Sequence, residues 1–168
     1  QCRFENVLNA FINAARYSKV PDLRDKYGTN GAVVPNPELT EETGTTIEAG
    51  VRVLSKLFFA EAILFRTETQ NGVVMLSDGN MTKPVNLAAS MTTGIEASLW
   101  VQPWKFIRAD LRGTLQNAEN RTHLYSYYGK KLPNEPDLSW LGKITIGPFK
   151  GIEVGYWLDY KSFFFRDL

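Results

Sequence analysis

The residue types that carry most enzymatic chemistry are scarce in this chain of 168 residues. A single cysteine, Cys2, and a single histidine, His123, allow no intrachain disulfide, no Cys/His zinc cage and no Cys-His dyad. No glycine-rich phosphate loop, Ser/His/Asp set or pair of carboxylates on neighbouring loops emerges, so the residues specify no reaction, catalytic residue, cofactor or metal site. What remains is recognition chemistry. Arg121, His123, Tyr125, Tyr127, Tyr128, Lys130 and Lys131 crowd one polar stretch, 117–137, where rings can stack on a ligand and cations can pair with it. A second set, Glu48, Arg52, Glu96, Arg108, Asp110, Arg112 and Asp159, falls at alternate positions within several segments, a spacing that puts charges on one face of an extended strand.

Charge and composition narrow the class. With 19 Lys+Arg against 18 Asp+Glu the net charge is +1, which leaves no field to gather nucleic acid. Apolar residues make up 43% of the chain and charged ones 22%, and 10 Phe, 7 Tyr and 4 Trp describe an ordered domain rather than a disordered tail. The longest apolar runs, such as 57–60, have four residues and fall far short, like 163–165, of the roughly 20 residues of a membrane helix. The chain opens on Gln1 without a basic-then-apolar leader and is read as a segment of a longer protein.

The elements that must position these residues follow from period-two alternation. Ile47, Ala49, Val51 and Val53 alternate with Thr46, Glu48, Gly50 and Arg52. Ile95, Ala97, Leu99 and Val101 do so with Glu96, Ser98, Trp100 and Gln102. The pattern returns from Ile107 to Gln116 and from Ile152 to Lys161, and the noisier runs 4–17, 57–69 and 138–147 bring the total to about seven strands. Long connections (18–45, 70–92 and 118–137), rich in Asn, Gly, Pro and Thr, take turns with tight ones at 54–56, 103–105 and 148–150. The fold expected is therefore all-β, an antiparallel up-and-down meander with short turns at one end and long loops at the other. Outer-membrane barrels sort their loops in this way, with strands apolar toward lipid and polar toward the lumen. On that reading the seven charged residues above face the lumen. They could guide a charged solute, but mutual cross-strand pairing is the plainer account.

Register tests the hairpins. A three-residue turn at 103–105 sets Trp100 opposite Arg108, Ser98 opposite Asp110 and Glu96 opposite Arg112, and a turn at 148–150 sets Ile146 opposite Ile152. At 54–56 the same construction pairs Val53 with Leu57 and puts Glu61 opposite Ala49 on the apolar face, so a bulge or a rim position is expected there.

Several short motifs resemble the C-terminal barrel of TonB-dependent outer-membrane receptors. Pro35-Asn36-Pro37-Glu38-Leu39-Thr40-Glu41-Glu42, followed by Ile47-Glu48-Ala49-Gly50, is similar to the family's N-P-x-L-x-P-E and Y-E-x-G stretch, although Glu41 and Ile47 replace its proline and aromatic. Thr93-Gly94-Ile95-Glu96 resembles a G-[VI]-E strand opening, and Leu132-Pro133-Asn134-Glu135-Pro136 resembles an L-P-x-x-P lead into a later strand. Residues 15–23, ending Val20-Pro21-Asp22-Leu23, resemble the F-[RK]-x-P-x-[LI] strand exit.

The resemblance implies a transmembrane barrel of about 22 strands with a plugged lumen, of which this chain, residues 1–168, is one segment without the plug or final strands. It implies TonB-dependent uptake of a siderophore, cobalamin or similar nutrient across the outer membrane of a Gram-negative bacterium. TonB would act through the absent plug domain, and lipid would surround the wall. Arg121, His123, Tyr125, Tyr127, Tyr128 and Lys130 would then lie on an external, ligand-facing loop; rim aromatics and solvated cations are the plainer account of the same residues. The chain is not expected to be an enzyme, since His123 finds no serine partner, nor to bind nucleic acid. An isolated segment should self-associate rather than transport. The alternative from another class is a soluble small barrel or sandwich holding an apolar ligand, with its apolar face turned inward.

Overall fold

A computed structural model of the chain describes residues 7–28, 31, 33–78, 81–122, 128–132 and 135–162. Seven strands alternate in direction: β1 (Val7–Lys19), β2 (Glu42–Leu54), β3 (Phe58–Asp78), β4 (Met81–Trp104), β5 (Ile107–Asn120), β6 (Leu138–Phe149) and β7 (Ile152–Lys161). Each pairs antiparallel with its neighbours in chain order in a single sheet. A five-residue helix, α1 (Leu23–Tyr27), lies in the β1–β2 connection, where the Asp22 carboxylate caps it by accepting from the Arg24 amide at 2.8 Å. The sheet order runs from β1 to β7 without returning, so the small closed barrel with an apolar interior is not what the described residues form.

The pairing places Leu8, Ile12, Val51, Leu64, Leu99, Leu111, Ile144 and Leu158 on one face, all of them solvent-exposed. Ile12 is 79% exposed and Leu8 72%, so among the described residues this sheet has no packed layer against its apolar side. Along β5 the apolar positions from Ile107 to Leu115 cover about 26 Å of strand, close to 20 Å of height at the tilt usual in membrane barrels. Glycines aside, the buried residues among those described, Pro21, Leu39, Pro84, Ala118 and Thr122, sit instead at the end where the long connections gather.

Three aromatic side chains hold adjacent strands together on the other face. Phe11, Tyr17 and Phe65 lie directly opposite Gly50, Gly44 and Gly94, and each ring occupies the space a Cβ would need. Tyr17 reaches right across β2, its hydroxyl 3.0 Å from that of Thr69 on β3.

The hairpins depart from the expected register in an instructive way. Trp100 faces Asp110, Ser98 faces Arg112 and Glu96 faces Thr114, two residues away from the expected pairs, and Ile146 faces Val154 rather than Ile152. The turns are two residues, 105–106 and 150–151, and each is preceded by a bulge: Gln102 and Pro103 together oppose Arg108, and Gly147 and Pro148 together oppose Glu153. Proline has no N–H to give the ladder, so a bulge suits it. A shift of two keeps every residue on its expected face while changing its partner.

At the third turn the shift is three. Val53 faces Ala60 and Arg52 faces Glu61, with no irregularity in the β2–β3 ladder, so the expected bulge is absent and Glu61 belongs to the charged face. The longer loop there, in which the Ser55 amide donates to the Phe58 carbonyl at 2.8 Å, restores the alternation. Residues 70–92, expected as a loop, are mostly strand: β3 and β4 continue as a ladder to Asp78 and Met81 beyond the bulges around Gly72.

Replacing Gly94 with alanine brings a Cβ within 2.6 Å of the Leu115 carbonyl oxygen and 2.7 Å of the Phe65 ring. Gly94→Ala is expected to destabilise the full-length barrel by about 1–3 kcal/mol, read as a lower urea midpoint for loss of heat-modifiable gel mobility. An unchanged midpoint would show that the ring is not held against this backbone.

Candidate functional site

The seven charged residues singled out by alternation share one face of the sheet. They fall into pairs and remainders. The Arg52 Nε donates to Glu61 at 2.6 Å, and its guanidinium lies 5.6 Å from the Phe11 ring centre and 5.9 Å from that of Phe59. Arg108 grips the Asp110 carboxylate with two N–H groups, Nε at 3.0 Å and Nη2 at 2.7 Å, and stacks over Trp100 at 5.1 Å. Glu48 accepts a long hydrogen bond from the Asn13 amide at 3.5 Å. Glu96 faces Ile63 and Thr114, and Asp159 faces Leu141, so neither meets a cation directly across the ladder.

Beside the Arg108–Asp110 pair the same face opens into a hollow of about 620 Å³ at the short-turn end, bordered by Lys105, Arg112, Lys143 and Glu153. With the pair included, four cations meet two carboxylates there. Lys143 and Glu61 are additions to the residues picked from sequence. The alternation of Leu141, Lys143 and Thr145 in β6 carries the signal for Lys143, whereas Glu61 was hidden by the assumed turn length.

At the long-loop end the structure brings Arg121 and Tyr128 together. The Arg121 Nη1 donates to the Tyr128 hydroxyl at 3.0 Å, its Nη2 lies 2.6 Å from Glu119, and the guanidinium is 5.4 Å from the Tyr128 ring centre. The tyrosine hydroxyl, and after it the Glu119 charge, raise the Arg121 pKa above its ordinary value, outweighing desolvation. The Lys130 carbonyl accepts from the Asn120 amide at 2.7 Å, Lys131 pairs with Asp137, and Glu119 bridges to Lys131 along the backbone. His123, Tyr125 and Tyr127 lie outside the described residues.

The loops themselves are tied down by side chains that alternation could not single out. Asn86 donates to the carbonyls of Thr40 (3.0 Å) and Asn71 (2.7 Å) and accepts from the Thr40 amide at 2.7 Å. Asn36 donates to the Pro84 carbonyl at 2.9 Å. Buried Thr122 accepts from the Ala89 amide at 3.1 Å, while the Arg121 amide donates to the Ala89 carbonyl at 2.7 Å. Asn36, Leu39 and Thr40 belong to the proline-rich motif, whose structural work is thus to lay the β1–β2 connection against the outer part of β4.

An open antiparallel meander with one apolar face, one charged face and sorted loops is the geometry of a large barrel wall. The family model described as TonB dependent receptor-like, beta-barrel, matches residues 3–165. The chain belongs to that family. Among solved structures, the copper transporter OprC shares its fold with a TM-score of 0.65 at 16% identity, over 84% of this chain and 22% of that one. The ferric yersiniabactin uptake receptor FyuA from Yersinia pestis matches with a TM-score of 0.64 at 18% identity, over 83% and 20%. The FrpB iron transporter from Neisseria meningitidis (F3-3 variant) matches with a TM-score of 0.62 at 15% identity, over 92% and 24%. The chain therefore spans less than a quarter of the length of each of these three proteins. No curated protein matches it by sequence. The family resemblance read from the motifs and the all-β meander are both borne out.

Thr122→Val leaves the Ala89 N–H without its acceptor in a buried place. It should loosen the junction between β4 and the end of β5 by about 1–3 kcal/mol, seen as faster hydrogen exchange at the Ala89 amide, with Thr122→Ser close to the parent. Equal exchange in the valine variant would remove Thr122 from this role.

Proposed function

We propose that this chain is wall and external loop of a receptor in the outer membrane of a Gram-negative bacterium, one that takes up a small nutrient with energy delivered by TonB through a plug domain. The observation that carries the reading is the two-faced sheet: an apolar side with no protein packed on it, suited to lipid, and a charged side suited to a lumen. Glu48, Arg52, Glu96, Arg108, Asp110, Arg112 and Asp159 then face that lumen. Arg121, Tyr128 and Lys130 line part of the external mouth. The names of the structural neighbours, for copper, ferric yersiniabactin and iron, favour a metal chelate as cargo over cobalamin. The surplus of cations around the hollow by Arg112 and Lys143 favours one carrying negative charge. An isolated segment with an uncovered apolar face and two open strand edges is proposed to self-associate.

The test is uptake by cells carrying the full-length receptor, with and without TonB, using ferric and cupric chelates of known charge. Accumulation should require TonB, while binding to the cell surface should not. Arg112→Glu combined with Lys143→Glu should lower uptake of an anionic chelate roughly tenfold and leave surface binding within about twofold, because the hollow lies at the end opposite the external loops. Accumulation that continues at full rate without TonB would overturn the reading.

A further inference from the structure

We infer that the short-turn end of the apolar face is a binding surface for anionic phospholipid, built from two copies of one turn; the inference rests on the membrane reading above. The copies are Gln102-Pro103-Trp104-Lys105-Phe106-Ile107 and Gly147-Pro148-Phe149-Lys150-Gly151-Ile152. In each, two residues ending in proline bulge opposite one, the following aromatic pairs with an isoleucine across the turn, and a lysine takes the first turn position.

The bulge has a specific consequence. Val101 and Ile146 belong to the apolar face, and in an unbroken strand Trp104 and Phe149, three positions on, would point to the charged face. One extra residue resets the alternation, so Trp104 pairs with Ile107 and Phe149 with Ile152 on the apolar side. Both aromatics are exposed, and Phe106 packs on Phe149 with ring centres 5.3 Å apart, joining the two turns into one surface. Two independent segments thus use the same device to bring an aromatic to the lower border of the apolar band, where an amphipathic ring or a wedge of rings meets the headgroup layer.

Charge says which headgroup. Lys105 and Lys150 are exposed at the turn tips, Lys56 occupies the third short turn, and none of the stretches 54–57, 102–107 and 147–152 contains an Asp or Glu. The long-loop end, in contrast, mixes carboxylates such as Asp22, Asp25, Glu41 and Glu119 with cations such as Arg24, Lys26, Arg121 and Lys131. The nearest carboxylate, Glu153, follows Ile152 and falls on the charged face beside the hollow, so the apolar side of this rim presents ring and lysine, which complement an anionic phosphate ester with an acyl chain attached. Lys105 also borders the hollow on the charged face, so Lys150 is the cleaner probe.

The experiment places a photoreactive benzophenone side chain at Phe149, and separately at Ile144 in the middle of the band, in the full-length receptor in vesicles of equal phosphatidylglycerol and phosphatidylcholine. At 149 the adduct should favour phosphatidylglycerol by about fivefold per lysine engaged, and at 144 neither lipid. Lys150→Asn should lower the preference at 149 by about fivefold, while Lys150→Arg keeps it and added salt weakens it. Lys150 has φ 51° and Gly151 φ 85°, so the variant creates the Asn-Gly pair this kind of turn prefers, and the backbone is not strained by the change. Lys105→Gln should act in the same direction. Equal adducts of both lipids at 149, or a preference untouched by Lys150→Asn, would overturn this inference and leave the membrane reading standing. No lipid adduct at 144 or 149 would overturn the membrane reading itself.

Discussion

The backbone ladder is what every other feature depends on. Among the described residues, the buried ones other than glycine are a handful at the long-loop end, and the apolar side chains of the sheet are spread over a face that touches no second layer. Order within the wall therefore comes from antiparallel pairing of each strand with the next, backed by contacts between direct neighbours across the ladder. In a medium without water an unpaired N–H or C=O costs several kcal/mol, so the same pairing that is merely adequate in solution becomes decisive in lipid. The aromatic rings seated over Gly44, Gly50 and Gly94 fit this regime: they add cohesion between strands where a layered protein would rely on packing between sheets.

Given the ladder, alternation assigns function to faces, and bulges decide where the assignment is suspended. Across the interior of β2 to β7 the period of two is kept, which holds the Arg52–Glu61 and Arg108–Asp110 pairs on one side and the aliphatic band on the other. At two of the short turns a Pro-containing bulge turns the last aromatic of the strand toward the apolar side. At the other end, beyond the irregularities around Gly72, β3 and β4 continue as a ladder of two strands to which the proline-rich connection is bonded. The sheet thus has a regular middle and two differently specialised ends.

How much of this was legible follows from the range of each interaction. The strands of the wall and the faces of Glu48, Arg52, Glu96, Arg108, Asp110, Arg112 and Asp159 rest on a local period and could be read directly. Cross-strand partners could not, because they depend on turn length: a bulge at Pro103 or Pro148 moves each pair by two and leaves the face pattern untouched, so no mismatch of polarity betrays it. At 54–56 the error was odd, and it did betray itself, as the misplaced Glu61. The outer parts of β3 and β4 were invisible for another reason. Their Thr, Asn, Gly and Pro content is that of a loop, and they become strand by pairing with each other and by the clasp of Asn86 on Thr40 and Asn71.

The same division explains why the charged face and the external loops carry different kinds of information. On the face, a cation that finds its carboxylate across the ladder is fixed by strand geometry and says little about cargo. Arg112 and Lys143 add two cations beside an Asp110 already held by Arg108, and with Lys105 and Glu153 at the same hollow the cations outnumber the carboxylates four to two. In the loops, Arg121 is held by Glu119 and Tyr128, and Asn36, Asn86 and Thr122 bond mostly to backbone. These side chains shape the mouth rather than fill it. The groups left over once the scaffold is satisfied lie elsewhere, at the short-turn end of the charged face, where the surplus of positive charge is one that strand pairing does not use up.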